Sequence, residues 1–302
     1  MPELPEVETI VRTCRPRLEG RRIRAFQTTW RKTAVPSPAV LRRNLAGRTI
    51  TALSRRAKFI VFHLDDGAHV LVHLRMSGRF EWAGGNGCSD APALNHGPKQ
   101  PAHASAAGFA HVRAWWDLDS GDRLLFCDAR KFGRIVYTRD LAAATAVLGP
   151  EPLDRSFTPA ALAGLLRARR RQLKPLLLDQ TVIAGLGNIY TDEALFCARL
   201  HPLTPSDRLS DAAVIRLHRA VRDVLRRAIR NHGTTIDWIY PDGWMQRKLL
   251  VYGRTGAPCR RCGRPIAALR VAQRGTHICP RCQPPPPPAA YSIAAKREHR
   301  NQ

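Results

Sequence analysis

The chain has 302 residues, is 44% hydrophobic, and carries 49 Lys+Arg against 24 Asp+Glu, a formal net charge of +25. That length accommodates two or more domains with cores of their own, and so large a charge excess points to a polyanionic partner. With no run of about 18 apolar residues and no isolated amphipathic basic helix at a terminus, nucleic acid is favoured over a membrane surface.

The chain opens MPELPEVETI. Pro5 suits a first helical turn, and Glu6 and Glu8 complement the positive end of the dipole. Val7, Ile10, Val11, Cys14 and Leu18 fall on one stripe of the helical period, which predicts an amphipathic helix over residues 5–18. Pro2 has a second chemistry. Removal of the initiator Met would leave it as a free secondary amine with a pKa of about 8, well below the roughly 10.4 of a lysine, so a useful fraction is nucleophilic at neutral pH. The motif alone supports helix capping ahead of this nucleophile.

Residues 21–140 read mainly as strands and turns, with KFIVFHL, AHVLVHL, HVRAWWDL and DRLLFC as short β-branched and aromatic runs, the last two joined as a hairpin by DLDSGDR. Residues 83–108 lack periodicity and read as a mobile insertion. Pro and Gly interrupt both periods over residues 141–152, which mark a boundary. Beyond it TPAALAGLLRARR, YTDEALFCARL and DAAVIRLHRAVRDVLRRAIRNHG are helical, the last with Val214, Leu217, Val221, Val224, Leu225 and Ala228 on one side and Gly233 as C-cap. The final Pro-rich basic segment is expected to be a disordered tail.

Cys259 and Cys262 are two residues apart, as are Cys279 and Cys282, and sixteen residues separate the pairs. The intervening segment alternates like a hairpin that folds the pairs into one tetrahedral site, which is zinc spacing. Four thiolates leave no open position, so one structural zinc is expected, and Arg264, Arg270 and Arg274 on the hairpin make it a presenter of positive charge. The other four cysteines are scattered. With no charged-then-apolar leader at the N-terminus, they suggest a reducing compartment rather than a disulfide framework.

MPELPEVET, RRAKF, HLRMSG, DARKFG, LGPEPL, GLGNIYTDEALF, HPLTP, VYGRTGAPC and the cysteine hairpin follow one another over most of the chain. Together they resemble the formamidopyrimidine-DNA glycosylase family, called Fpg or MutM. The resemblance implies an α+β multi-domain chain: an N-terminal helix plus antiparallel β-sandwich (1–141), a helix-two-turn-helix module (153–244), a β-hairpin zinc finger (245–283) and the tail (284–302). It implies a bacterial-type, cytoplasmic, monomeric enzyme acting on double-stranded DNA with a damaged base. The activity would be that of a bifunctional DNA glycosylase and AP lyase for formamidopyrimidines and 8-oxoguanine.

By the same resemblance Pro2 is the Schiff-base nucleophile, Glu3 the acid that opens the sugar, Lys58 the lysine of β-elimination and Arg274 the phosphate clamp of δ-elimination. Met76, Arg130 and Phe132 match the residues that fill the space of the flipped nucleotide. Asn188 matches a phosphate-contacting asparagine at a helix N-terminus, and Lys174 a lysine near the damaged strand. Glu193 is read as orienting the catalytic terminus or capping its helix, and Trp244 as a stacking lid or simple packing. The chain departs from the family pattern at Arg75, which replaces a glycine, at Ala129, which replaces a proline, and at Phe109, which stands where a histidine commonly precedes the HV pair by two positions; only His111 of the pair remains, so a phosphate contact is lost or shifted. The loop over the flipped purine, within residues 234–250, is also short. Two alternatives stay open, a lesion preference for oxidised pyrimidines or abasic sites and a non-catalytic zinc-finger DNA-binding protein.

Overall fold

A computed structural model describes residues 1–84, 110–234 and 243–287. The expected insertion from residue 85, the central part of the short loop (235–242) and the tail from residue 288 lie outside the described residues. The chain divides into two compact units, residues 1–147 with 229–246, and residues 148–228 with 247–302.

In the first unit α1 (Leu4–Leu18) forms as its apolar stripe requires, with Leu4, Val7, Ile10, Val11, Cys14 and Leu18 all buried. Two sheets follow. One takes the order β1 (Ile23–Thr28), β7 (Val112–Leu118), β8 (Arg123–Asp128), β6 (Gly78–Ala83), antiparallel throughout. The other takes the order β2 (Ala34–Val35), β9 (Arg134–Thr138), β5 (His69–His73), β4 (Phe59–Leu64), β3 (Ile50–Arg56), antiparallel except where the two-residue β2 runs parallel to β9. Alternate residues of both sheets meet in one core. Ring centroids of Phe62 on β4 and Trp116 on β7 are 5.6 Å apart, and those of Phe62 and Phe80 on β6 are 6.2 Å apart. α1 and the short α2 (Pro38–Leu45) contribute Val7, Ile10, Leu41 and Leu45 to the same cluster. Trp116 is fully buried, so truncating it to alanine removes about 3–5 kcal/mol.

After α3 (Leu141–Thr145), the second unit contains α4 (Pro159–Arg167), α5 (Leu173–Leu178), α6 (Asn188–Ala198) and α7 (Asp211–Arg230), then the hairpin β10 (Ala267–Val271) and β11 (Arg274–Ile278). The six apolar residues expected on one side of α7 are all buried. Thr158 caps α4, its hydroxyl accepting from the Ala161 amide, with Pro159 in the first turn.

The helical segments and the cysteine hairpin lie together in the second unit. Phe196 of α6 packs in one cluster with Val251, Cys259, Ile266 and Cys279, so the finger takes its core from the helices. Residues 229–246 go instead with the sandwich. The cause is Glu6, whose buried carboxylate accepts the Thr234 amide at 2.7 Å. Gly233 (φ 76°) is required there, because a Cβ at that position would stand 2.7 Å from Glu6 Oε1. α7 ends at Arg230, and left-handed His232 and Gly233 complete the stop that the sequence assigned to Gly233 alone.

Candidate functional site

The N-terminus is enclosed. Pro2 is buried, Glu3 is 2% exposed and Lys58 is 4% exposed. A capping box builds this end of α1: the Glu3 carboxylate accepts the Glu6 amide, and Glu6 Oε2 accepts the Glu3 amide at 2.8 Å. Glu6 Oε1 meanwhile holds Thr234, so one buried carboxylate fixes both Glu3 and the base of the 235–242 loop. That base is closed by bonds from the Trp244 amide to Asn231 O (3.0 Å) and from the Met245 amide to Gly233 O (3.0 Å).

Lys58 lies in the tight turn between β3 and β4, beside left-handed Ala57. Arg55 secures the turn, donating to Ala57 O at 3.0 Å and to Glu8 of α1 at 3.1 Å. Burial pushes the Glu8 carboxyl up, but Arg12 and Arg55 outweigh it and leave the group lowered. Next to this turn His73 is 8% exposed. Burial first, then Arg75 and Lys58, press its pKa down to about 3, so its Nδ1 stays an acceptor for the Arg75 amide at 3.0 Å.

Met76 and Phe132 stand on two loops at the same edge of the sandwich, the β5–β6 and β8–β9 connections. They are among the few exposed large apolar side chains, at 37% and 50%. The Arg130 guanidinium lies 5.2 Å from the Phe132 ring centroid, and Lys131 Nζ lies 4.4 Å from that of Trp30. Arg75 at the expected glycine position does take a left-handed backbone (φ 55°), as does Lys131 (φ 62°). His111 is exposed, also left-handed, and its backbone oxygen accepts the Asp128 amide at 2.9 Å.

In the second unit Arg274 is exposed at the start of β11, after a hairpin turn through left-handed Ala272 and Gln273. The structure gives Lys174 a different place from the one the sequence suggested. Its ammonium is fully buried, donating to Asp192 Oδ1 at 2.6 Å, Thr276 Oγ1 at 2.8 Å and Gly275 O at 2.9 Å. A cation enclosed in this way is not offered to a phosphate; it ties α5 and α6 to β11 directly beside Arg274. Asn188 donates to the same Gly275 O at 3.0 Å. Asp192 Oδ2 accepts the His277 amide at 2.9 Å. The Glu193 carboxylate, in the middle of α6, accepts the amides of Leu250, Val251 and Tyr252. Burial raises its pKa against the pull of those amides. Trp244 is 57% exposed.

The sulfurs of Cys259, Cys262, Cys279 and Cys282 lie within 4.8 Å of one another. Cross-pair separations of 4.0 Å and 3.4 Å bracket the roughly 3.8 Å edge of a tetrahedron with Zn–S bonds of about 2.3 Å. The Arg264 amide draws the Cys262 thiol down to about 7, whereas burial pushes the Cys279 thiol up and the Cys282 thiol up to about 12, so the fit to a metal rests on the sulfur geometry. The four residues fit one structural zinc, as their spacing predicted.

Sequence reading missed Glu6, Ser77, Asp128 and Asp192 as organisers. All four stand inside the quoted motifs, but their partners are distant in the chain.

A sandwich with an enclosed Pro–Glu terminus, followed by a helical module sharing its core with a four-thiolate finger, is the architecture of a DNA glycosylase. Residues 1–135 match the formamidopyrimidine-DNA glycosylase N-terminal domain, residues 148–239 the formamidopyrimidine-DNA glycosylase H2TH domain, and residues 256–285 the zinc finger found in FPG and IleRS. The chain is 44% identical over 290 residues to the formamidopyrimidine-DNA glycosylase of Chloroflexus aurantiacus, covering 94% of this chain and 98% of that one. It is 43% identical over 311 residues to that of Symbiobacterium thermophilum, covering 99% and 95%. It also matches Lactococcus lactis Fpg bound non-covalently to AP-site DNA (TM-score 0.81, 34% identity, 94% of this chain and 100% of that one). MutM in complex with carbocyclic 8-oxo-G DNA matches with the same four values. The chain belongs to the formamidopyrimidine-DNA glycosylase family.

Proposed function

We propose that the chain is a bifunctional base-excision repair enzyme, a DNA glycosylase and AP lyase that removes oxidised purines from double-stranded DNA. The observation that carries this reading is the enclosed terminus, with Pro2 and Glu3 buried at the start of α1 and Lys58 buried in the same unit. With Met1 removed, the Pro2 nitrogen lone pair bonds to C1′ of the damaged nucleoside. The C1′–base bond breaks and the base leaves with the amine's proton; the C1′–O4′ bond then breaks, its electron pair going to O4′ as Glu3 protonates it, and the Pro2–C1′ iminium forms. The iminium acidifies the 2′ proton; its loss expels the 3′ phosphate, and a second elimination expels the 5′ phosphate. Glu3 protonates the sugar oxygen as the ring opens, Lys58 serves the first elimination and Arg274 the second.

Met76, Arg130 and Phe132 fill the vacated stack, an apolar wedge plus a planar cation. Asn188 and His111 are assigned to the phosphates, whereas Lys174 acts through its buried network. The zinc, held by the four cysteines, supplies no chemistry to the reaction and fixes the finger. Formamidopyrimidines and 8-oxoguanine are the lesions favoured, since solved relatives were bound to Fapy-dG containing DNA and to carbocyclic 8-oxo-G containing DNA. The enzyme is read as a cytoplasmic monomer; among the described residues no helix is long and apolar enough to cross a membrane.

The test is borohydride trapping on duplexes carrying single lesions. Pro2→Gly, or one extra residue ahead of Pro2, is expected to abolish the trapped complex while binding to abasic-site DNA survives. Full trapping by the extended protein would remove Pro2 as nucleophile and leave Lys58 as the candidate.

A further inference from the structure

We propose that Asp128 and Ser77 are positioning residues that lock the two wedge-bearing loops together, so that Met76, Arg130 and Phe132 are already in place when a base must be displaced. This rests on the wedge roles proposed above. Asp128 is 0% exposed and ends β8, paired in register with Gly78 at the start of β6. Its carboxylate serves both loops. Oδ1 accepts the Ser77 hydroxyl and the Arg130 amide (3.2 Å), and Oδ2 accepts the Gly133 amide at 2.7 Å. Ser77 Oγ also accepts the Arg130 amide at 3.0 Å. Arg113 donates to Asp128 O at 2.8 Å. Both ends of the Arg130–Phe132 segment and the residue after Met76 therefore hang on one buried charge.

The loops need such a lock. Phe132 and Met76 project into solvent and have little packing of their own, so their placement is inherited from the backbone. That backbone is strained, because Arg75 and Lys131 both occupy the left-handed region. It is also confined: a Cβ on Gly133 would stand 2.4 Å from Phe126 Cζ, and one on Gly78 2.4 Å from Leu74 O. An ionised carboxylate is acceptor-only, which three converging donors require. An amide in its place must turn its NH2 towards either the Arg130 amide or the Gly133 amide, putting donor against donor.

The experiment compares Asp128→Asn, Ser77→Ala and Phe132→Ala on a duplex with one 8-oxoguanine and on a duplex with a preformed abasic site, where no base has to be displaced. Asp128→Asn is expected to slow excision by about 10- to 100-fold and Ser77→Ala by a few-fold, the cost of misplaced groups and a lost buried hydrogen bond. On the abasic duplex both variants should act at close to the parental rate. Adding Phe132→Ala to Asp128→Asn should slow excision by less than about twofold further, because both remove the same preorganised wedge.

Equal losses on both duplexes, or multiplicative losses in the double variant, overturn the proposal and leave Asp128 a purely structural residue. If Asp128→Asn does not fold, Ser77→Ala decides alone, and parental excision by it counts against the lock. Parental excision by Phe132→Ala sinks the wedge reading itself; a slow Phe132→Ala beside a parental Asp128→Asn sinks only the lock.

Discussion

Lys174→Met separates two accounts of a lysine in a DNA-binding chain. In the structure the Lys174 ammonium and the Asp192 carboxylate are both fully buried, 2.6 Å apart. Removing the cation strands the carboxylate and deprives Thr276 Oγ1 of its donor, although Gly275 O keeps Asn188. Breaking a buried pair in this way costs about 3–5 kcal/mol. For a unit of this size that lowers the melting temperature by roughly 10 °C. Adding Asp192→Asn should recover much of the loss, because the amide oxygen still accepts from His277 and no buried charge is left.

The assay is thermal and urea unfolding, alongside DNA affinity measured against salt. Arg274→Ala is the contrast: it should reduce the slope of log affinity against log salt by about one phosphate's worth and leave melting near parental. A Lys174→Met protein that melts like the parent but loses about one unit of salt slope would refute the buried-network account and restore a direct phosphate grip.

Two further outcomes follow from buried or clustered groups. The folded pKa of His73, about 3, lies below the ordinary 6.5, so the folded state requires the neutral ring. Its contribution is full above pH 6.5 and is lost as pH falls towards 3, at up to about 1.4 kcal/mol per pH unit. His73→Asn, whose Oδ1 replaces the Nδ1 acceptor, should flatten unfolding free energy between pH 6.5 and 4.5 in urea titrations; an unchanged slope there counts against the ring. Metal analysis should find one zinc per chain, and chelation or Cys262→Ser should abolish DNA binding before the sandwich unfolds, because the finger has little core beyond its contact with Phe196. Active protein without zinc would refute this.

What the sequence disclosed and what it concealed divide along one physical line. Periodic burial is local, so the α1 stripe and the six apolar residues of α7 were legible, as was the cysteine spacing that closes the finger. The buried hubs were not. Asp192 lies 18 residues from Lys174, and Thr276 lies 102 from it, so RARRRQLK offers several cations that could substitute for one another until the fold supplies the partners. Ser77 and Asp128 are 51 residues apart, and Glu6 and Thr234 are 228 apart. The Glu6 contact explains why residues 229–246 join the sandwich, although their sequence continues a helical module. Left-handed Arg75 was visible only as a departure from a glycine; the compensating lock beside it needed coordinates.

The buried acids share a role that the net charge of +25 makes easy to overlook. Glu6, Asp128, Asp192 and Glu193 are each 1% exposed or less, and each accepts at least one backbone amide from outside its own helix or strand. A carboxylate has about four acceptor sites and no donors, so it collects several N–H groups where a neutral amide would set donor against donor. Burial opposes the charge, and at Glu193 it prevails over three amides, leaving the group raised. Three of these acids fix segments that carry proposed site residues: Glu6 the terminus of the buried Pro2, Asp128 the loops of Met76 and Phe132, and Asp192 the strand of Arg274. On the proposed function, Arg130 and Arg274 are therefore presented from positions set by buried acids. Charge reversal on the surface should change affinity and its salt dependence, whereas neutralising a buried acid should disturb geometry and rate at nearly constant salt slope.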